Sequence, residues 1–299
     1  MINICPFCKN ENSSKILFEG VANKNKVINV ECTSHNSEDI EQWKPTLYKC
    51  KSCKLVFSES IGVNFAEKYI DVIDQSYLDQ IEFKKKTFKL FFKKIEKYLN
   101  KDLKVLEIGS YYGVLGNLIN PHVKEYHGLE LSTHAANYAK KNFNLNIITE
   151  QPEEYLKKNI KYDLIIMTDV IEHLDNPFEI LTLIERNLVE GGQLILSTFN
   201  FDSMFSKIMG KKYPWIIPMH KYYFSNSTIN NCLIKSNLKL FDIQNDVRLI
   251  SIEYLFQKFN VIFSPFKFIS RVLLKFKFIK NLTIKINLYD LKIYFCKKR

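Results

Sequence analysis

Between positions 100 and 200 the apolar residues fall in short blocks, and stretches with helical spacing fill the gaps. Residues 103–108, 126–131, 147–148, 162–167 and 193–198 are compact apolar runs of strand length. Residues 114–119, 135–142, 152–158 and 178–188 read as amphipathic helices. Glu190-Gly191-Gly192 closes the last of these with a helix stop. This alternation predicts an α/β fold, a parallel sheet with helices on both faces and ligands at the carboxyl ends of the strands. Before it, residues 77–98 keep helical spacing with many lysines, which predicts a helix with one packed and one solvated face. After it, residues 251–286 interleave Phe and Leu with Lys267, Arg271, Lys275, Lys277 and Lys280. Lys267, Arg271 and Lys275 stand four apart and share one helix face. The segment reads as an amphipathic helix at an interface, or as a lid whose apolar side packs on the domain. Residues 287–296 form a final strand.

At roughly 100–200 residues per domain, 299 residues make one large or two ordinary domains. A chain with 46% hydrophobic and 25% charged residues is globular, which excludes disorder, collagen and coiled coil. Its longest uncharged stretch in the basic segment, 259–266, is far too short to span a bilayer. No secretory signal is visible at the start. The formal net charge is +11, but it is unevenly spread. Residues 251–299 hold 11 basic and 2 acidic residues, a net of +9, and residues 1–57 hold 8 and 6, a net of +2. The intervening 58–250 hold 24 of each and are neutral. The charge therefore argues against a nucleic-acid reader and points to an anionic membrane or a lipid-linked anionic substrate meeting 251–286.

Four of the seven cysteines form two pairs, Cys5-Pro-Phe-Cys8 and Cys50-Lys-Ser-Cys53. Thiolates three positions apart on a tight turn converge on one cation, and two such knuckles complete the S4 shell of Zn²⁺. The alternative is two unrelated pairs of free thiols. A closed four-cysteine site leaves no position for substrate, so the zinc is assigned to folding. Cys32-Thr-Ser-His35 also has ligand spacing, but it sits in a polar loop and reads as a bystander. Cys232 and Cys296 lie in apolar surroundings and read as buried small hydrophobes. The odd count suits a reducing cytoplasm.

Glu107-Ile-Gly109-Ser-Tyr-Tyr-Gly113 lies between the first strand and helix of the alternating region. Glycines there let the backbone approach a ligand, and the helix behind presents free N–H groups. Glu130 ends the next strand about 20 residues on, where a carboxylate accepts hydrogen bonds from ribose hydroxyls.

With these motifs the chain resembles the class I S-adenosylmethionine-dependent methyltransferases, over about 75–250 and the final strand. The resemblance also rests on Asp163-Leu-Ile-Ile-Met-Thr-Asp169-Val-Ile-Glu172-His173, on Gly191-Gly192 and the strand after it, and on His220-Lys-Tyr-Tyr-Phe-Ser225. It implies a Rossmann-like doubly wound sheet, mostly parallel with an antiparallel last strand. It further implies S-adenosylmethionine bound by Glu107, Gly109, Ser110 and Gly113 around its methionine and ribose portion. Glu130 would take the ribose hydroxyls, with Glu150-Gln151 near the adenine and Met167, Thr168 and Asp169 below the sulfonium. The family's usual third glycine is replaced here within Ser110-Tyr111-Tyr112. The cysteine knuckles look like those of a bacterial subgroup acting on sugars, polysaccharides or secondary metabolites. The expected organisation is a zinc-ribbon-like module at 1–57, a helical linker and cofactor cover at 58–100 with Tyr77 near the cofactor, a core at 101–250, a basic insertion at 251–286 and a last strand at 287–299.

Two features are candidates for removing a proton from an acceptor. If helical, Asp169, Glu172 and His173 share one face and can hold a divalent cation. Ubiquinone-biosynthesis O-methyltransferases and small-RNA 3′-end methyltransferases have a similar arrangement and use a metal. In other family members Glu-His caps the following helix. His220 follows the fifth strand, on the acceptor side, where a neutral imidazole suits a base. The alternative is a His that steadies the loop. Trp215, Tyr222, Tyr223 and Phe224 around it form either a sugar-stacking wall or buried core. The sequence thus predicts a cytoplasmic O-methyltransferase, peripheral at the inner membrane face, acting on a small molecule, glycan or lipid-linked acceptor. C-methylation of a nucleotide-sugar is the alternative within the class. An RNA-modifying protein and a non-catalytic membrane scaffold are the alternatives outside it.

Overall fold

The computed structural model describes residues 4–11, 13–21, 44–61, 63, 65, 69–251 and 283–299. Cys32, His35 and all but the ends of the basic insertion lie outside the described residues.

The N-terminal part contributes three short antiparallel strands, β1 (Ser14–Phe18), β2 (Leu47–Cys50) and β3 (Val56–Ser58). Helices α1 (Gln75–Asp79) and α2 (Ile81–Ile95) follow, then a 3₁₀ turn over Glu96–Tyr98. The single helix expected over 77–98 is therefore broken. Gln80, with φ −104 and ψ 12, leaves helical geometry between α1 and α2.

The alternating region folds as the pattern predicts. β4 (Lys104–Ile108), α3 (Val114–Ile119), β5 (Glu125–Leu129), α4 (Thr133–Phe143), β6 (Ile147–Ile148), α5 (Pro152–Leu156), β7 (Tyr162–Thr168) and α6 (Pro177–Asn187) come in turn. β8 (Leu188–Phe199) begins directly where α6 ends, so Gly191-Gly192 lies inside a long strand instead of terminating a helix. Beyond it come α7 (Met204–Met209), β9 (Tyr222–Tyr223), α8 (Asn226–Lys235), β10 (Leu238–Asn245), β11 (Arg248–Ser251), β12 (Thr283–Ile286) and β13 (Leu291–Lys298).

Seven strands form the central sheet in the order β10-β13-β8-β7-β4-β5-β6. β8 through β6 are parallel, and β13 runs antiparallel between β8 and β10. The fold is thus Rossmann-like, mostly parallel, with the last strand antiparallel. Its apolar runs are unbroken because both faces are covered. Leu164 and Ile166 of β7 face α2, α3 and α4, while Ile165 and Met167 face α6 and α8. The chain turns back on itself around β4, so the carboxyl ends of β4, β5 and β7 flank the switch point where such sheets bind ligands.

Two further pairings matter. β11 and β12 form a separate two-stranded ladder with Ser251 opposite Thr283, so the basic insertion leaves and returns at one point. The N-terminal sheet has the order β1-β2-β3-β9, taking its fourth strand from the core. Its buried Cys5, Cys50, Leu55 and Phe57 share one core with Ile165, Met167, Tyr222 and Phe224. No helix among the described residues is long and apolar enough to cross a membrane.

Candidate active site

The glycine loop is shaped by crowding beneath it. Gly109 and Gly113 have φ of 76° and 75°, the left-handed region that side chains disfavour. A Cβ on Gly109 would come within 2.4 Å of Val170 Cγ2, and one on Gly113 within 2.6 Å of Ala139 Cβ. Tyr111, between them, also has positive φ, 47°. Its backbone N–H donates to Glu130 Oε2 at 2.7 Å and its hydroxyl to Asp74 Oδ2 at 2.7 Å. The Tyr112 hydroxyl accepts from the Asp74 N–H at 3.1 Å. Tyr69 stacks on Tyr111, and Tyr77 stacks on Tyr112 while meeting Tyr111 edge-on. The tyrosines that replace the usual glycine are thus the loop's fastening to the segment before α1. Asp74, Tyr69 and that fastening were not foreseen, because nothing in the sequence pairs position 74 with 111.

Glu130 is 4% exposed. Oε1 accepts from Ser132 N–H at 2.8 Å, so each carboxylate oxygen holds one backbone donor and keeps a second acceptor site. Burial pushes this carboxyl up to about 7. A fixed buried carboxylate beside a glycine turn, at the end of β5, fits the ribose of an adenosine cofactor. Glu107 lies below the loop, where it accepts from Tyr126 Oη at 2.5 Å, and burial raises it to about 8. Ser110 is buried in the loop. Glu150, beyond β6, pairs with Lys158 at 2.6 Å.

Thr168 ends β7, and the chain then turns through Asp169 at φ 53°. Residues 169–173 form a turn instead of a helix, so the shared helix face expected of Asp169, Glu172 and His173 does not exist. The Asp169 carboxylate points to Arg248 of β11, which also bonds Asp246, and it accepts from Ser197 Oγ at 3.3 Å. Arg248 was missed: a single arginine beside an insertion carries no motif.

The cluster that does form is Glu172, His173 and His220, whose ligand-type atoms lie within 4.8 Å of one another. The imidazole rings meet with centroids 4.6 Å apart. His173 Nδ1 lies 3.3 Å from Met219 O, and His220 Nδ1 lies 2.7 Å from Trp215 O. A carbonyl only accepts, so each Nδ1 carries the proton and the lone pair of the neutral ring is on Nε2. Burial lowers His173 to about 4. Burial, then the Asp169 charge, raises Glu172 to about 8, and Glu172 Oε2 has no hydrogen-bond partner among the described residues. Phe199 stacks on His220. Tyr222, Tyr223 and Phe224 are at most 2% exposed and belong to the core, not to an open stacking wall.

Each cysteine knuckle closes with a left-handed lysine, Lys9 at φ 59° and Lys54 at φ 67°. Their N–H groups return to Cys5 O and Cys50 O at 3.0 and 3.1 Å. The knuckles face each other with Cys5 Sγ 3.5 Å from Cys53 Sγ and Cys8 Sγ 3.6 Å from Cys50 Sγ. A zinc tetrahedron with bonds of about 2.3 Å sets its sulfurs about 3.8 Å apart. The cluster therefore fits Zn²⁺. Cys232 and Cys296 are buried apart from it, at 2% and 0% exposure.

Comparison with known proteins agrees with this fold. The family described as "Methyltransferase domain" matches residues 81–243. The mitochondrial ubiquinone biosynthesis O-methyltransferase of Candida albicans is 30% identical over 152 residues, 44% of this chain and 45% of that protein. The match thus spans about half of that curated relative. A SAM-dependent methyltransferase of Archaeoglobus fulgidus is similar in structure, with TM-score 0.51 and 19% identity over 75% of this chain and all of that one. Another, from Thermotoga maritima, gives TM-score 0.50 and 17% identity over 81% and 100%. At these identities the solved structures speak for the fold.

Proposed function

The chain belongs to the methyltransferase-domain family, and from that premise we propose that it moves a methyl group from S-adenosylmethionine to an oxygen of a sugar, glycan or lipid-linked acceptor. When bound, the cofactor supplies an electrophilic methyl group on a cationic sulfonium. In this reading Glu130 accepts from the ribose hydroxyls, and Gly109, Ser110 and Gly113 let the backbone close on the cofactor. Thr168 and Asp169 line the end of β7 beside it, Glu150 stands toward the adenine, and Glu107 braces the loop through Tyr126. His220 and His173 hold Nε2 lone pairs on the acceptor side, and one of them takes the proton of the attacking hydroxyl. The carrying observation is the convergence of His173, His220 and Glu172, next to the switch point that Glu130 and the glycine loop occupy. The match to a ubiquinone biosynthesis O-methyltransferase favours oxygen as the acceptor atom. Calorimetry with S-adenosylhomocysteine tests the reading: a folded chain that does not bind it ends the proposal. Product NMR then separates O–CH3 from the alternative C–CH3.

A specific observation favours a second role for the same cluster. Two imidazoles oriented by backbone carbonyls, with a buried carboxyl whose Oε2 is unpartnered among the described residues, make a ligand set for a divalent cation. The set is Glu172, His173 and His220, with Asp169 engaged by Arg248 instead. Such an ion would lower the pKa of a bound hydroxyl. Titration with Mn²⁺ or Zn²⁺ of the wild type against Glu172→Gln checks it. Zn²⁺ at Cys5, Cys8, Cys50 and Cys53 serves the fold. Peripheral contact with an anionic membrane through 251–286, and a cytoplasmic setting at that surface, rest on the basic residues of that segment.

A further inference from the structure

The acceptor-side cluster is not held by the core alone. β3 follows the second cysteine knuckle after two residues, and it pairs with β9: Phe57 lies opposite Tyr222 and Val56 opposite Tyr223. Ser58 N–H extends the ladder to Lys221 O at 2.8 Å. Lys221 alone stands between His220 and β9. Lys221 N–H and Tyr222 N–H both donate to Glu172 O, at 2.8 and 3.2 Å. One backbone strand, 221–222, thus lies between the cysteine-bearing ribbon and the Glu172–His173 turn.

Side chains repeat the connection. Phe7, inside the first knuckle, packs on Phe178 of α6 at 4.8 Å, and Phe178 packs on Tyr222 at 5.6 Å. Lys235 of α8 lies 4.2 Å over the Phe7 ring. The Tyr222 hydroxyl donates to Asp175 O, and the buried Lys221 ammonium pairs with the Asp175 carboxylate. The glycine loop and Glu130 lie elsewhere, fastened by Asp74, Tyr111 and Ser132.

We propose that the metal-loaded Cys5/Cys8/Cys50/Cys53 ribbon is a positioning element of the acceptor site, fixing His220 against Glu172 and His173 through the β3–β9 pairing. This rests on the zinc reading given above. Without a cation nothing draws the four sulfurs to one point, and the short ribbon has little core of its own. Losing the metal therefore releases β3, and with it the strand that carries His220. The cofactor side, built on β4 and β5, keeps its own supports.

Hydrogen exchange and calorimetry on the full chain test this, with zinc content measured alongside. After chelation, amide protection at Lys221 and Tyr222 falls by about 100-fold or more, while amides of β4 and β5 change by less than about 3-fold. S-adenosylhomocysteine affinity stays within about 3-fold. Cys53→Ala behaves like the chelated protein. Cys53→His, which retains an N/S shell for zinc, restores the protection. Ser58→Pro removes the donor to Lys221 O without touching a thiol. It lowers protection at 221–222 while zinc remains at one per chain. Retained protection at 221–222 in metal-free protein overturns the coupling, as does loss of cofactor binding in parallel, which would make the ribbon a general stabiliser. A chain that binds no zinc overturns the zinc reading itself.

Discussion

The rings of His173 and His220 meet edge to face with centroids 4.6 Å apart, although 46 residues separate the two in the chain. Each ring is aimed by a backbone carbonyl of the 215–219 loop, Met219 O for His173 and Trp215 O for His220. That loop thus carries His220 and orients His173. His220→Gln and His173→Gln should each lower methyl transfer by about 10²–10⁴-fold, with cofactor binding unchanged. The double variant should lose little more than the worse single one, since residues acting as a unit are not additive. Single-turnover rates, with S-adenosylhomocysteine calorimetry as control, make the comparison. Wild-type rates in both single variants would remove the pair from the chemistry.

Glu130 holds two backbone N–H groups, Tyr111 at 2.7 Å and Ser132 at 2.8 Å. Its replacement acts twice, on the proposed ribose contact and on the loop it holds. Glu130→Gln keeps one acceptor oxygen and should weaken S-adenosylhomocysteine binding by about 10-fold. Glu130→Ala leaves both amides unpaired and should weaken it by about 100-fold or more. Calorimetric dissociation constants decide this, and two equal constants would mean the carboxylate makes no cofactor contact.

The sheet was readable in advance because its strands are buried on both faces, and continuous apolar runs such as 162–167 have few other folds open to them. The pairing of the glycine loop with Glu130 and the convergence of the four cysteines were readable because a fixed spacing carries each. Three features were not. The 169–173 turn has helical spacing in sequence, but Asp169 takes a left-handed φ and meets Arg248, 79 residues away. Tyr111 stands where the glycine motif departs from the family's pattern, and its hydroxyl is held by Asp74, 37 residues away. The two-residue strand Tyr222–Tyr223 is too short to announce itself, yet it joins the ribbon to the core. In each case long-range partners decide the local geometry, and local pattern carries no record of them.

Burial raises the Glu107 carboxyl from its ordinary 4.5 to about 8, and its Oε2 accepts from Tyr126 Oη. A carboxyl whose folded pKa exceeds its unfolded one stabilises the fold fully below the unfolded value. That contribution is lost as pH rises through the folded value. The window here runs from about 4.5 to about 8, and Glu130, raised to about 7, adds to the same trend. Wild-type stability should therefore decline between pH 5 and 8.5, taken as roughly the ends of that window. Glu107→Gln keeps the neutral shape and should decline less. It should stand about 2–4 kcal/mol above wild type at the alkaline end and level with it at the acid end. Thermal melts across this range check the sign, and parallel curves would show that Glu107 does not titrate there.

Asp74 makes three hydrogen bonds, two of which join the segment before α1 to the glycine loop. Its carboxylate caps α1 through Tyr77 N–H at 2.8 Å and accepts from Tyr111 Oη at 2.7 Å, and its own N–H donates to Tyr112 Oη. The Ser132 and Thr133 hydroxyls add bonds from the other side, to Val72 O and Ile70 O. Residues 69–80, within the expected cofactor cover, are therefore fastened to the loop and to the start of α4, with the rings of Tyr69 and Tyr77 against Tyr111. Asp74→Ala removes the cap and the Tyr111 bond, each worth about 1 kcal/mol, but leaves Glu130 and the histidine cluster in place. If this cover closes on the cofactor, bound S-adenosylhomocysteine should leave about 10-fold faster from the variant, with a smaller change in association rate. Stopped-flow displacement measures both rates. An unchanged release rate would show that the cover fastens the loop without gating the cleft.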